Sequence, residues 1–181
     1  MFIVLEGGEG AGKSTLAAAL ADALRARGRT VVVPREPGGT RAGEIVRTLL
    51  HEELAPWAET FAFLTARAQI VAEVIGPALD EGADVICDRF AGSTFAYQGY
   101  ARGLDLAQLR ATNAIATGGL EPDLTLYLDV PPEVGLARKH GGVEAIRTGR
   151  EALAFHERVR AGYRALAAEA PPGSWLTLDA T

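Results

Sequence analysis

The chain has 181 residues, 48% of them hydrophobic and 23% charged, a composition typical of a globular protein large enough to bury a core. We expect a single domain, residues 1–181, and the net charge of −5 argues against non-specific binding to nucleic acid or an anionic membrane. The start MFIVLE lacks the basic region of a signal peptide, no apolar run approaches the roughly 18 residues of a membrane span, and the single Cys87 fits a reducing compartment. A soluble, cytoplasmic protein is expected.

Short apolar runs alternate with helical patterns along the chain, and the first helical patterns cover about 14–28, 41–51 and 57–81. Because the short runs are apolar on both faces, they indicate parallel strands covered by helices on both sides. The predicted fold is α/β, a doubly wound five-stranded parallel sheet in which ligands gather at the carboxyl ends of the strands. The predicted strands are 2–5, 30–33, 84–87, 124–130 and 174–179.

The first strand is followed by GGEGAGKS, which satisfies the G-x-x-x-x-G-K-(S/T) pattern of a phosphate-binding loop between a strand and a helix. Glycines let backbone amides face an anion, Lys13 can reach the β and γ phosphates, and the Ser14 hydroxyl can ligate magnesium. The pattern predicts a P-loop fold that binds ATP or GTP, and the Lys-Ser pair disfavours a dinucleotide-binding loop. The predicted ATP-binding residues are Gly7, Gly8, Glu9, Gly10, Ala11, Gly12, Lys13, Ser14 and Thr15.

A switch GTPase is disfavoured because its guanine-reading motif is missing from the sequence. Such a protein needs Asn-Lys-x-Asp, yet the only asparagine, Asn113, is followed by alanine. It also needs Asp-x-x-Gly, and no aspartate here has glycine three residues on. The phosphate loop alone does not choose among the remaining kinases and ATPases.

Charged residues follow the second and third strands. Arg35 emerges at the end of the second strand, where its guanidinium suits a phosphate group, or it is a solvated loop charge. Asp88 follows the third strand, where a carboxylate can hold magnesium through water, and Arg89 is beside it. The alternative is that Asp88 and Arg89 pair with other loops and only brace the structure.

Aromatic and polar residues suited to a nucleobase lie on a helix and on the loop after the third strand. Phe63 and Arg67 are four residues apart, so both project from one helix face, where they could stack on a base and read its edge. The competing interpretation makes Phe63 core and Arg67 surface. The loop adds hydroxyl, aromatic and amide groups: Ser93, Thr94, Tyr97 and Gln98.

In their order, these motifs resemble the thymidylate kinase family, which transfers the γ-phosphoryl group of ATP to dTMP. The resemblance covers nearly the entire chain and rests on EGGEGAGKST, REPGGT, FLTARAQ, DRFAGSTFAYQGYARG, PDLTLYLDV and DAT. It implies that Glu9 approaches the sugar 3′-hydroxyl and that Arg35 and Arg89 hold the dTMP phosphate.

For the base and sugar, the resemblance implies that Phe63 stacks on thymine, that Tyr97 lies against the deoxyribose, and that three residues read the base edge. Those three are Arg67, Thr94 and Gln98. Ser93 completes the predicted dTMP-binding set, and Ser14 and Asp88 form the predicted metal site.

The catalytic residues are then expected to be Lys13, Arg35, Arg89 and a cation from a lid at residues 137–151. Arg138, Lys139, Arg147 and Arg150 are available there, and Arg147 is our candidate. Family members pair as homodimers, so a homodimer is expected. Two alternatives stay open: another nucleoside monophosphate kinase, or a nucleotide-binding regulator that has lost turnover.

Overall fold

A computed structural model describes residues 1–140 and 150–181. All five predicted strands form one parallel sheet in the order β2-β3-β1-β4-β5, which confirms the predicted α/β class. After the central strand β1, the chain forms β2 and β3 on one side of it and then β4 and β5 on the other side. The strands are β1 Phe2–Gly7, β2 Val31–Val32, β3 Asp84–Asp88, β4 Leu124–Asp129 and β5 Trp175–Asp179.

Helices connect the strands, and two of them contain π-helical segments. Helix α3 continues through the π-helical segment Val71–Ile75 into α4, and α5 continues into a second such segment, Phe95–Ala101. The described helices are α1 Lys13–Arg25, α2 Arg41–Leu49, α3 Pro56–Ile70, α4 Gly76–Asp80, α5 Ala91–Thr94, α6 Leu106–Thr117, α7 Pro132–His140 and α8 Arg150–Glu169.

Alternate residues of the central strand β1 pack into two different cores, because successive side chains of a strand point to opposite faces. Ile3 and Leu5 pack with Ala17 and Ala21 of α1 on one face. Phe2 and Val4 pack on the other face with the α3–α4 helix. The central strands β1 and β3 are therefore buried between helical layers, whereas the edge strand β5 is partly exposed.

The continuous helix Pro56–Asp80 departs from the expectation that no segment approaches the length of a membrane span. It is 25 residues long and apolar enough, by length and composition alone, to cross a membrane. In the fold it is a core helix, with Ile70 and Ile75 fully buried against the sheet and Arg67 buried inside the protein. These contacts are those of a helix that packs against the sheet.

Candidate active site

The phosphate loop connects β1 to α1 and is closed by its own lysine. Lys13 Nζ donates to the carbonyl oxygens of Gly7 at 2.9 Å and Gly8 at 2.7 Å. Gly10 has a φ of +67°, and a Cβ there would lie 1.9 Å from the carbonyl oxygen of Gly135 in α7. The glycine is thus required by a close approach between the loop and a helix.

Burial weakens the charge of Lys13 while no anion is bound. Desolvation, with a smaller contribution from Arg89, lowers the pKa of Lys13 to about 7, although Asp88 and Glu6 oppose the shift. The Nζ atom has only neutral carbonyl acceptors. A phosphate group at this position would supply the missing counter-charge.

The predicted metal residues Ser14 and Asp88 lie next to each other. The Ser14 hydroxyl donates to Asp88 Oδ2 at 2.5 Å, which joins the first turn of α1 to the end of β3. In residues 1–140 and 150–181 no three His, Cys, Asp or Glu side chains cluster as a metal site. One hydroxyl and one carboxylate nevertheless fit magnesium, which usually takes one or two protein oxygens and fills its shell with water and phosphate.

Arg89 follows β3 in a strained conformation, with a φ of +76° that non-glycine residues rarely adopt. Its Nη1 donates to Gly7 O at 3.3 Å and to Ser93 Oγ at 3.2 Å, and its guanidinium lies 5.4 Å from the centre of the Tyr97 ring. Burial alone would lower the pKa of Arg89, but Tyr97 and Tyr163, with smaller contributions from Glu6 and Asp88, raise it above the ordinary value. The cation is held between Gly7 of the phosphate loop and the Tyr97 ring.

Arg35 takes a different position. Its backbone extends the pairing of β2 and β3 through a bridge with Asp88, but its side chain is exposed. Among the described residues, no hydrogen bond or ion pair holds its guanidinium. The carboxyl edge of the sheet therefore brings Arg35 close to Asp88 through the backbone only.

A cavity of about 220 Å³ lies beside the phosphate loop. Every predicted dTMP-binding residue except Arg35 lines it, and three lining residues were not predicted: Glu36, Pro37 and Glu59. The lining residues are Glu9, Glu36, Pro37, Glu59, Phe63, Arg67, Arg89, Ser93, Thr94, Tyr97 and Gln98. Four separate segments of sequence therefore meet in one pocket.

Arg67 is only 1% exposed, so the competing interpretation of a surface arginine is wrong. Its Nε and Nη2 pair with the Glu36 carboxylate, the closest contact being 2.6 Å, and Nη2 also donates to Phe90 O. Nη1 donates to Thr94 Oγ1 at 2.8 Å and to Asn113 Oδ1 at 3.0 Å. All its N–H groups therefore have acceptors within the protein.

Gln98 is positioned by a second carboxylate. Its Nε2 donates to Glu59 Oε1 at 2.7 Å, and Arg102 holds the same carboxylate through contacts of 3.0 and 2.6 Å. A carboxylate only accepts hydrogen bonds, so the amide nitrogen of Gln98 must face Glu59. This leaves the Gln98 carbonyl oxygen for the cavity.

Two further residues border the cavity with contrasting partners. The Tyr97 hydroxyl is the one buried side-chain polar atom in the described parts of the chain that has no hydrogen-bond partner. Glu9 instead forms a 2.9 Å ion pair with Lys139 of α7. Burial alone would raise the pKa of Glu9, but Lys139 lowers it below the ordinary value.

Comparison with known proteins decides the family. A model of the thymidylate kinase family matches residues 5–181. The thymidylate kinase of Roseiflexus castenholzii is 49% identical over 99% of this chain and 86% of its own length. That of Desulfovibrio desulfuricans is 55% identical over 94% of this chain and 84% of its own length. This chain belongs to the thymidylate kinase family.

The fold supports the same assignment. The crystal structure of thymidylate kinase from Ehrlichia chaffeensis aligns with a TM-score of 0.79 and 32% identity, covering 99% of this chain and 86% of that one. The chain is thus a nucleoside monophosphate kinase, as the motifs predicted.

Parts of the thymidylate kinase site remain predictions or were missed. Arg147 and residues 141–149 of the predicted lid lie outside the described residues. Sequence reasoning missed Glu36, Glu59, Asn113 and the buried pair Glu6 and Tyr163. Glu6 is the first residue of the motif EGGEGAGKST, immediately before the phosphate loop. The available signal was a charged residue at the end of an apolar strand.

Proposed function

We propose that this kinase transfers the γ-phosphoryl group of ATP to dTMP, giving dTDP for dTTP synthesis, with magnesium as its metal. The observation that carries the proposal is the acceptor cavity, which opens beside the phosphate loop and is lined by Glu9, Phe63, Arg89 and Gln98. Family membership supports the same acceptor.

On the donor side, backbone amides and the amino end of α1 receive the ATP phosphates. Lys13 exchanges its carbonyl acceptors for phosphate oxygens, which restore its full positive charge. Ser14 and Asp88 would hold the magnesium ion, which would supply positive charge against the β and γ phosphates.

On the acceptor side, Phe63 stacks on thymine, and Gln98 accepts from the thymine N3–H through the oxygen that Glu59 leaves available. Thr94 contacts the base edge through its hydroxyl, which accepts from Arg67 and keeps its own proton to donate, so Arg67 acts on the base through Thr94. Glu9 approaches the 3′-hydroxyl, and Tyr97 lies against the deoxyribose. Its hydroxyl without a partner supports a position beside a ligand rather than a role within the protein.

Arg89 binds the acceptor phosphate, and the exposed Arg35, whose side chain lies outside the cavity here, is proposed to join it when dTMP binds. Arg89 touches Gly7 of the phosphate loop and lines the acceptor cavity, so its position supports a bridge between the two substrates. An oxygen of the dTMP phosphate then attacks the γ-phosphorus in line, and the β–γ bridging oxygen leaves with ADP. Arg147 is the proposed lid cation, and the lid at 137–151 belongs to the one proposed domain, residues 1–181.

A coupled assay tests the acceptor. ADP formation is measured with dTMP, dUMP, UMP and AMP, and dTMP is expected to give the highest kcat/KM. A preference for another monophosphate would instead favour a different nucleoside monophosphate kinase. The alternative of a regulator without turnover predicts nucleotide binding without any dTDP.

We also propose a cytoplasmic homodimer that needs neither nucleic acid nor a membrane. Ile45 and Leu49 of α2, Phe61 of α3 and Ile115 of α6 are large apolar side chains that are 45–82% exposed, on neighbouring helices. Such exposure supports a covered face. Light scattering should give twice the 19.0 kDa of one chain, and a monomer at micromolar concentration would oppose this state.

A further inference from the structure

A buried carboxylate behind the acceptor cavity has no role in the reaction described so far. Glu6 is fully buried at the end of β1. Its Oε1 accepts from the backbone N–H groups of Phe90 and Ser93, at 3.0 and 2.9 Å. Its Oε2 accepts from the hydroxyls of Ser93 and Tyr163, at 2.6 and 2.9 Å. Four hydrogen bonds satisfy this carboxylate.

The partners of Glu6 are the residues that surround Arg89. Phe90 follows Arg89, so Glu6 Oε1 fixes the peptide next to the strained φ of +76°. Ser93 Oγ, which bonds Glu6 Oε2, accepts from Arg89 Nη1 at 3.2 Å. Glu6 therefore controls both the backbone and the guanidinium of Arg89 without touching it. Gly92 lets the segment approach, since a Cβ there would lie 2.9 Å from Glu6 Oε1.

Tyr163 closes this network from α8. Its hydroxyl lies 2.9 Å from both Glu6 Oε2 and Ser93 Oγ, and its ring stacks on Tyr127 of β4 with 5.2 Å between centroids. Burial, with a smaller contribution from Glu6, raises the pKa of Tyr163 well above its ordinary value. The hydroxyl consequently keeps its proton and remains a donor at any working pH.

We propose that Tyr163 is a positioning residue for the acceptor phosphate, holding Glu6 and Ser93 so that Arg89 points its guanidinium into the cavity. The inference rests on the proposed binding of the dTMP phosphate by Arg89. It differs from a general packing role because the network reaches Arg89 and Ser93, whereas in the described parts of the chain no hydrogen bond joins Phe63 or Gln98 to Glu6 or Tyr163. The Tyr163 ring also meets the Tyr97 ring, with 6.4 Å between centroids, and a phenylalanine would keep that contact.

Tyr163→Phe isolates this role, because it removes one hydroxyl and keeps the ring on Tyr127. Calorimetry should compare dTMP with thymidine, which presents the same base and sugar without a phosphate. We expect dTMP affinity to fall on the order of tenfold, as for the loss of one hydrogen bond to a charged group. Thymidine affinity should stay within about twofold. Glu6→Gln should shift the ratio of the two affinities in the same direction.

Tyr100→Phe is the matched control, since Tyr100 also meets a carboxylate of α8, Glu169, but lies away from the cavity. It should leave the ratio unchanged. The proposal is overturned if Tyr163→Phe weakens both ligands equally, which indicates general distortion, or if it weakens neither. Failure of the unmodified protein to bind dTMP would instead reject the proposed function, so the two failures are distinguishable.

Discussion

The donor and acceptor halves of the site are built from different materials. The phosphate loop is one stretch of backbone, shaped by glycines and closed by Lys13 on two carbonyl oxygens. The acceptor cavity is a set of side chains from four segments, and three of these side chains are held by carboxylates: Ser93 by Glu6, Arg67 by Glu36 and Gln98 by Glu59. Substitutions in the phosphate loop should therefore reduce activity. Substitutions in the buried polar network of the cavity should reduce stability as well, because that network also contributes to the fold.

The largest expected effect tests the donor half. Lys13→Ala should lower kcat by about a thousandfold, because a preorganised cation facing the transferred phosphoryl group is lost. Stability to urea should not decrease, since the buried ammonium group has no ionic partner in direct contact. A large fall in the free energy of unfolding would show that Lys13 also stabilises the fold, which would contradict the difference between the donor loop and the acceptor cavity.

The matching variant in the acceptor half is Glu36→Gln. Arg67 and Glu36 are 1% and 4% exposed, so the substitution leaves Arg67 as a buried charge without its anion. We expect the free energy of unfolding to fall by about 3 kcal/mol, measured by urea denaturation. Glu44→Gln, on a half-exposed carboxylate paired with Arg47 at 4.0 Å, is the control and should change stability by less than about 0.5 kcal/mol. Equal effects would contradict the assigned roles.

A smaller change should separate base recognition from folding. Glu59→Gln offers Gln98 an amide in place of a carboxylate, so the Gln98 amide is no longer forced into one orientation. The KM for dTMP should rise about tenfold, and discrimination against dCMP, which lacks the N3–H, should decrease. Steady-state kinetics with dTMP and dCMP measures both the KM and the discrimination. Unchanged discrimination would mean that Gln98 does not read N3.

The same contrast explains what could be predicted from the sequence. Lys13 and Ser14 belong to a contiguous motif that directly follows a strand. Because the spacing of residues in this motif determines the shape of the loop, the donor half was predicted together with the parallel sheet. Glu6, Asn113 and Tyr163 lie up to 157 residues apart and meet only through tertiary packing. The position of Glu6 at the end of an apolar strand is a local signal that the residue is unusual, but no periodicity indicates that Asn113 or Tyr163 has a partner in the site.

Arg67 shows where local reasoning fails. Its spacing from Phe63 correctly placed the two residues on one helix, and both line the cavity. Periodicity assigns a charged side chain to the surface, however, because burying it requires partners that a single helix does not contain. Glu36, Thr94 and Asn113 supply them from other elements.

The smallest expected effect is proton uptake by Lys13 of the donor loop when ATP binds. The pKa of Lys13 is lowered to about 7 in the free site, so at pH 8 roughly nine-tenths of the side chain is neutral. Phosphate oxygens favour the charged form, so ATP binding at pH 8 should take up close to one proton, and much less at pH 6, where Lys13 is already charged. Calorimetry in two buffers of different ionisation enthalpy measures the uptake. Lys13→Met should abolish it, and uptake that persists in that variant would assign the proton to another group.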